Sequence, residues 1–551
     1  MRRWNGFAAP AALVAFTLCA LWQRPARAQD ATMPGLYLPE WQEARDRSKD
    51  ELPPQLRLIN YFFTRATYTN EIGDPSGLKG VSLGPLGEYQ VGSAVRTGVG
   101  NGLWAEQRWI PVLEYSPYFA DRLAVFRAQF RINYVWGRAA NTQQPNEGGG
   151  FNANQINIQT KNANVSLYPT RDPEELAIVI GTQPAYDNVI DPLRSGLAEI
   201  TRSGYKLAFM GSDATGLSIY GGRWGGRAKL SLLPLGGTQP DKAEKDDPRL
   251  AFVWLGTADV QYEVQPGSWL GLSLWHLKDD TKGDAFAYEG LVRSGPSSIG
   301  LSTFTGTAPF VIERPTGSVN WLGFNAHHNL DYRTGRFAAS GFAMYNFGQF
   351  DSNKEGTKLN PSVEISGFSG DLELLYNWGR TTGDVLSLET VFSSGDSNPN
   401  DGHYSGAFTM NYYGLPGATW FNHRTLLLFP FTSTVVNYTG AVTDLSNQGA
   451  GLEAIIAAAT YDLVPNKLNL KIGAAYGRSA VNPSNYPGSA TSRGRSIGTE
   501  VNAELKWTVR FLMTVGLHAG VLFKGSWFDG ETSRVAENPF ALFTTFTWYA
   551  F

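Results

Sequence analysis

Charged side chains at two-residue spacing are the most visible chemistry in this sequence. Arg127, Gln129 and Arg131 alternate in LAVFRAQFRINYVW, Asp371 and Glu373 in SGFSGDLELLYNW, and Glu500, Glu504 and Lys506 in IGTEVNAELKWTV; Lys206 and Glu389 sit in similar surroundings. Successive side chains point to opposite faces of a strand, so each set shares one face. The reverse faces are apolar: Ala128, Phe130 and Ile132; Leu372 and Leu374; Ile497, Val501, Leu505 and Trp507. Such a polar face, repeated over many strands, can line a wet conduit and steer polar or charged solutes. Lys471, Lys524, Asp259, Glu263 and Glu453 belong to the same expected lining. The signs are mixed. That implies a neutral or weakly charged cargo, or arginines on one wall facing acids on another. The plain alternative is opposed charges that only brace and solvate the wall, because exposed pairs stabilise little.

Other chemistry is sparse. Asp396, Asn398 and Asp401 carry oxygens that could ligate Ca²⁺, although a stretch this rich in Gly, Asn and Pro is also an ordinary turn. His327 and His328 are strand neighbours and point to opposite faces, which is wrong for a metal pair. Barrel-borne hydrolases need a nucleophile beside a His or Asp, and the chain offers six His and no G-x-S-x-G stretch, so no enzymatic activity is expected.

The elements that must hold the charges are long strands. Alternating runs of 13 or more residues exceed the 5 to 6 usual in soluble sandwiches and suit a tilted membrane-crossing strand of about 9 to 11 residues with extensions. Aromatics collect where such strands would end (Tyr376, Trp378, Tyr461, Tyr476, Trp548), and rings with a polar edge favour the membrane–water interface. Eighteen strands can be placed between residues 55 and 551, among them 204–211 and 215–234 with SDAT as a tight turn between them. Short connections such as QPGS, GRTTGD and LVPNK alternate with long ones such as 279–317 and 394–448. The expected fold is all-β: a transmembrane antiparallel barrel of about 18 strands, range 16–20, with short periplasmic turns and long outer loops. A closed barrel pairs every backbone polar group, which a lipid environment demands. Eighteen strands leave room for water inside.

Composition agrees. The 551 residues include 61 Gly and 71 aromatic side chains but only 17% charged ones, which favours strands and turns over amphipathic helices. Residues 1–28 read as a secretory signal: Arg2 and Arg3, the apolar run FAAPAALVAFTLCALW, then Ala26-Arg27-Ala28 before Gln29. Removing them takes four Arg, no acids and the single cysteine, Cys19, leaving 42 basic and 49 acidic side chains, net −7, with no thiol chemistry. No basic excess points to nucleic acid. Residues 29–54 are expected to form a periplasmic lead, and 55–551 the barrel. The chain ends in ALFTTFTWYAF, and a terminal aromatic on an alternating strand is similar to the insertion signal of bacterial outer-membrane barrels.

VFSSGDSNPNDG (391–402) resembles the S-G-D-x-N-P signature of the alginate export family, and IGTQPAYDN (180–188) with RSGYKLAF (202–209) resembles that family's G-x-Q and R-x-x-G strands. The resemblance implies an 18-strand outer-membrane barrel that exports a polysaccharide past a charged constriction, with outer-membrane lipid around it and periplasmic export components as partners. A porin importing small solutes is the alternative, and a secreted β-rich enzyme or lectin stands against both.

Overall fold

The computed structural model describes residues 56–73, 95–117, 123–135, 157–191, 203–206, 208–238, 251–282, 285–286, 315–353, 361–398, 401–408, 424–428, 445, 447–482, 493–510, 512–529 and 535–550. The expected signal and lead, and Phe551, lie outside them. Eighteen staves carry the fold among these residues. They are β1 (Leu56–Thr69), β2 (Gly102–Tyr115), β3 (Ala124–Val135), β4 (Asn157–Leu167), β5 (Leu176–Tyr186), β6 (Gly211–Arg223), β7 (Gly226–Thr238), β8 (Phe252–Gln265) and β9 (Ser268–Asp279). The ring continues with β10 (Pro315–His328), β11 (Phe337–Ser352), β12 (Ser362–Asn377), β13 (Val385–Ser393), β14 (Leu452–Val464), β15 (Leu468–Arg478), β16 (Ser496–Arg510), β17 (Met513–Lys524) and β18 (Phe540–Ala550).

Each stave pairs antiparallel with the next, and β18 returns to β1 with Tyr549 opposite Tyr61 and Thr545 opposite Arg65. The sheet is therefore closed, an 18-strand antiparallel barrel with no free edge. Alternation sorts the side chains. Leu270, Leu272, Leu274, Leu372, Leu374, Leu386 and Leu388 are 43–54% exposed on the outside, while Ser273, Trp275, Asp371, Glu373 and Glu389 between them are at most 5% exposed. An apolar surface continuous over neighbouring staves is what acyl chains require and what a water-facing surface avoids.

Eight connections at one end span two residues (224–225, 266–267, 511–512) to eight (116–123, 168–175, 329–336), whereas nine at the other run from nine residues (353–361) to 58 (394–451). Both ends of the barrel chain lie at the short-turn end, as an even stave count dictates.

Three expectations need correction. The strand expected over 204–211 does not form at 204–206 or 208–210, where Gly204 and Lys206 have φ of 67° and 55° and the Ala208 amide donates to the Tyr205 carbonyl. The run expected as one strand over 215–234 is two staves, β6 and β7, and SDAT lies inside β6; the hairpin turns at Trp224-Gly225, whose φ values of 54° and 79° suit a two-residue loop that follows the sheet's twist. The two errors offset each other in the count. Finally, Ile497 does not face outward: pairing slips between Gly477 and Arg478, which meet Gly498 and Ser496, so Ile497 is the extra residue of a bulge and is fully buried inside. Gly498 takes φ 145°, and a Cβ there would lie 2.4 Å from the Phe523 carbonyl oxygen.

Candidate functional site

Described segments of two of the long loops lie inside the barrel and meet on one wall. The first, 187–210, is closed at its base. Asp187 Oδ2 accepts from the Phe209 and Met210 amides (2.8 and 3.2 Å), and Asn188 donates to the Ser203 carbonyl (2.9 Å). Lys229 on β7 donates to the carbonyls of Tyr186 and Asn188 (both 2.6 Å) and pairs with Asp259 on β8 at 3.1 Å. Burial pushes the Asp187 carboxyl up from 3.8 to about 7, against the pull of those two amides and Lys229.

At the tip, Tyr205 packs among Phe209, Trp275 and Phe342 with ring centroids 5.2–6.1 Å apart. Its hydroxyl presses so close to β10 that a Cβ on Gly323 would be 2.4 Å away, so only glycine fits. Lys206 Nζ then reaches Asp371 Oδ1 (2.9 Å), Glu389 Oε1 (2.9 Å) and Glu373 Oε2 (3.3 Å), all buried. Burial alone would strip its proton, but the three carboxylates outweigh it and hold the ammonium well above the ordinary lysine value.

The second loop, 394–451, enters from β13. Arg424 Nε meets the other oxygen of Glu373 at 3.2 Å, so one carboxylate receives both loops. Leu426, Leu427 and Leu428 aim three consecutive amides at Glu500 on β16 (2.6, 3.0 and 2.6 Å), an anion-binding concavity built from backbone. Asn502 and Lys471 both donate to the Arg424 carbonyl (3.2 and 3.0 Å). The same loop caps β10 and β11, where Trp321 donates to the Phe408 carbonyl and Asn346 accepts the Phe408 amide.

The remaining inward charges form smaller groups. Glu504 meets Lys471 and His518 Nδ1, and the His518 ring stacks on Phe543 at 4.6 Å with Nε2 3.0 Å from Thr545. Lys506 stays exposed towards the turn end of the same face. On β3, Arg127 is clamped by Glu114 (2.8 and 2.5 Å), and Gln129 accepts from Asn162. Arg131 stands opposite Gln159 in register; its side chain lies outside what is described. Eight staves lie between β3 and β12 in either direction round the ring of eighteen, so Arg127 and the Asp371–Glu373 pair occupy opposite walls.

Several expected lining residues are therefore not open to a passing solute: Lys206, Asp371, Glu373, Glu389 and Glu500 are used to dock loops. Glu453, expected inside, faces outward on β14, since Leu452 and Ala454 beside it are the buried positions. In the 394–403 segment, Asp396 Oδ1 accepts the Asn398 amide and Asp401 Oδ1 the His403 amide, and Asn398 Nδ2 donates to the second Asp401 oxygen. The first two are turn-type bonds. Among the described residues no group of three or more His, Cys, Asp or Glu could hold a metal ion. Tyr205, Arg424, the 426–428 amides, Glu114 and His518 were not singled out from sequence. Glu114 and His518 could have been found by parity along their strands, whereas the loop residues carry no periodic signal.

The class of molecule is a closed antiparallel barrel of eighteen staves, with segments of its own loops anchored on the inner wall. No protein-family model matches the chain, and no curated protein matches it significantly. Solved structures do. The outer membrane protein opdK from Pseudomonas aeruginosa is 11% identical, with 90% of this chain and 98% of that one covered and a TM-score of 0.45. OccK11 (OpdR) from Pseudomonas aeruginosa follows at 10% identity, 94% and 100% coverage and 0.42, and OccAB4 from Acinetobacter baumannii at 10%, 90%, 99% and 0.42. These likenesses are distant, and the reading of the lumen rests on this chain's own residues.

Proposed function

We propose that the protein is an outer-membrane channel that admits small polar or charged solutes through a lumen narrowed by its two inward loops. One observation carries this: residues 205–206 and 424–428 are fastened to the wall at Glu373 and Glu500 by buried charges and hydrogen bonds. A bare 18-stave cylinder is wide. Fastened loops narrow it, and a narrow passage selects by size and by the polar groups that line it. Lipid contact on the Leu-rich exterior and the segregation of long loops to one end favour an outer membrane, loops outward.

Export of a polysaccharide is the second reading, favoured by the Ser394-Gly395-Asp396…Asn398-Pro399 stretch that resembles the alginate export signature. It would require both loops to leave their anchors, and periplasmic components to deliver the chain.

Conductance of the full-length protein in planar bilayers tests the proposal, with Glu500→Gln beside it. Discrete small steps are expected from the wild type, and larger ones once residue 500 loses its charge and one of the two oxygens that accept from Leu426–Leu428. Absence of any conductance, or passage of long glycan chains through the unmodified protein, would overturn it.

A further inference from the structure

The bulge that turns Ile497 inward has a second effect on the outer surface. It sets Ser496, not Ile497, opposite Arg478, and so brings Arg495 beside the outward carboxylate of Glu453. Arg478 Nε meets Glu453 Oε2, Arg495 Nη2 lies 3.3 Å from Glu453 Oε1, and Arg495 Nε donates to the Ser479 carbonyl at 2.9 Å. One carboxylate therefore orients two guanidinium groups, a net charge of +1. The side chains of Arg478 and Arg495 are 48% and 39% exposed. Each arginine has five donors, and these contacts use Nε of Arg478 and Nε and Nη2 of Arg495 on side chains that remain partly exposed.

Their height is defined by the register. Glu453 pairs with Arg478, and the next outward row toward the turns is Ile455 opposite Tyr476, 47% and 37% exposed. Two residues along a strand are about 7 Å. The Tyr476 hydroxyl points up to Ser496 Oγ at 3.3 Å, which is how a ring with one polar edge sits at a membrane surface. On the other side, Phe392 on β13 pairs with Glu453. The arginine pair thus stands at the loop end of β14, β15 and β16, one row above Ile455 and Tyr476 and level with the exposed ring of Phe392, where the apolar band gives way to lipid headgroups.

We propose that Arg478 and Arg495, held by Glu453, bind the phosphate of a phosphorylated outer-leaflet lipid of the lipid A type. The planar guanidinium fork matches phosphate oxygens two at a time, which a lysine pair would not. The lumen chemistry plays no part, so the inference rests only on the barrel's orientation in an outer membrane.

The test uses the full-length protein in micelles doped with phosphorylated lipid A or with its dephosphorylated form, with thermal unfolding and native mass spectrometry as readouts. The wild type is expected to retain the phosphorylated lipid and to gain thermal stability only with it. Arg478→Gln/Arg495→Gln should weaken retention by roughly tenfold or more for each guanidinium removed. Equal retention by wild type and variant, equal effects of the two lipids, or equal stabilisation by inorganic phosphate alone would overturn the proposal. Should the double variant fail to show a heat-modifiable band, Arg495→Gln alone carries the comparison, because Arg478 keeps Glu453 paired. Failure of the membrane reading would show separately, as extraction without detergent.

Discussion

Lys206 and Glu389 are 183 positions apart in the chain and 2.9 Å apart inside the barrel, and with Asp371 and Glu373 they form a buried group that fastens a loop to a wall. The arrangement is asymmetric: one ammonium from the loop answers three carboxylates from staves β12 and β13. Its loss would strand buried charge, leaving the loop to the anchors at Asp187 and Lys229 and the packing of Tyr205.

Lys206→Met should release the loop. Breaking a buried ion pair by removing one partner costs about 3–5 kcal/mol, because the remaining charges stay uncompensated. Larger single-channel conductance and faster amide exchange at Tyr205 and Phe209 are expected; unchanged values for both would show that the aromatic packing of Tyr205 alone holds the loop.

Docking of the same loop should depend on pH through Asp187. Its carboxyl is raised from 3.8 to about 7 by burial, so the docked loop binds the proton more tightly than the released one. The contribution to docking is complete below about pH 4 and is lost as pH rises through 7. Lys229 and Asp259, paired at 3.1 Å, are the charged groups packed against it. Conductance should rise between pH 5 and 8 in the wild type and stay flat in Asp187→Asn. Lys206 adds nothing in this window, since its raised value confines its loss to strongly alkaline solution.

Ion selectivity reads the opposite wall. Arg127→Gln leaves Glu114 without its clamp on β2 and should shift reversal potentials in a KCl gradient toward cations. An unchanged potential would place the β3 wall outside the conduction path.

Bilayer contact is tested from outside. Leu388→Arg on β13 puts a charge among acyl chains and should cost about 2–4 kcal/mol in unfolding from vesicles. The exterior position is 43% exposed, and a neutral result would mean that water covers it.

Alternation made the barrel legible in the sequence. Period-two runs such as Phe368–Leu374 and Val501–Trp507 specify which face meets lipid, because a one-residue slip would move their outward apolar side chains inward. The asymmetry of connection lengths followed from the same reading, whereas the count of eighteen came out because the strand expected at 204–211 offset the two staves merged over 215–234. Departures from that period were not legible. The Ile497 bulge, the Trp224-Gly225 turn and the left-handed backbone at Lys206 each depend on pairing with a distant stave or on burial by a distant loop. The candidate site lay beyond reach for the same reason. Asp371, Glu373, Glu389 and Glu500 could be assigned to the inner face by parity, but their partners, Lys206, Arg424 and the amides of Leu426–Leu428, belong to loops with no repeating pattern. Local chemistry sets the side a residue faces; only closure of the ring and the return of two loops into it decided what each inward charge would meet.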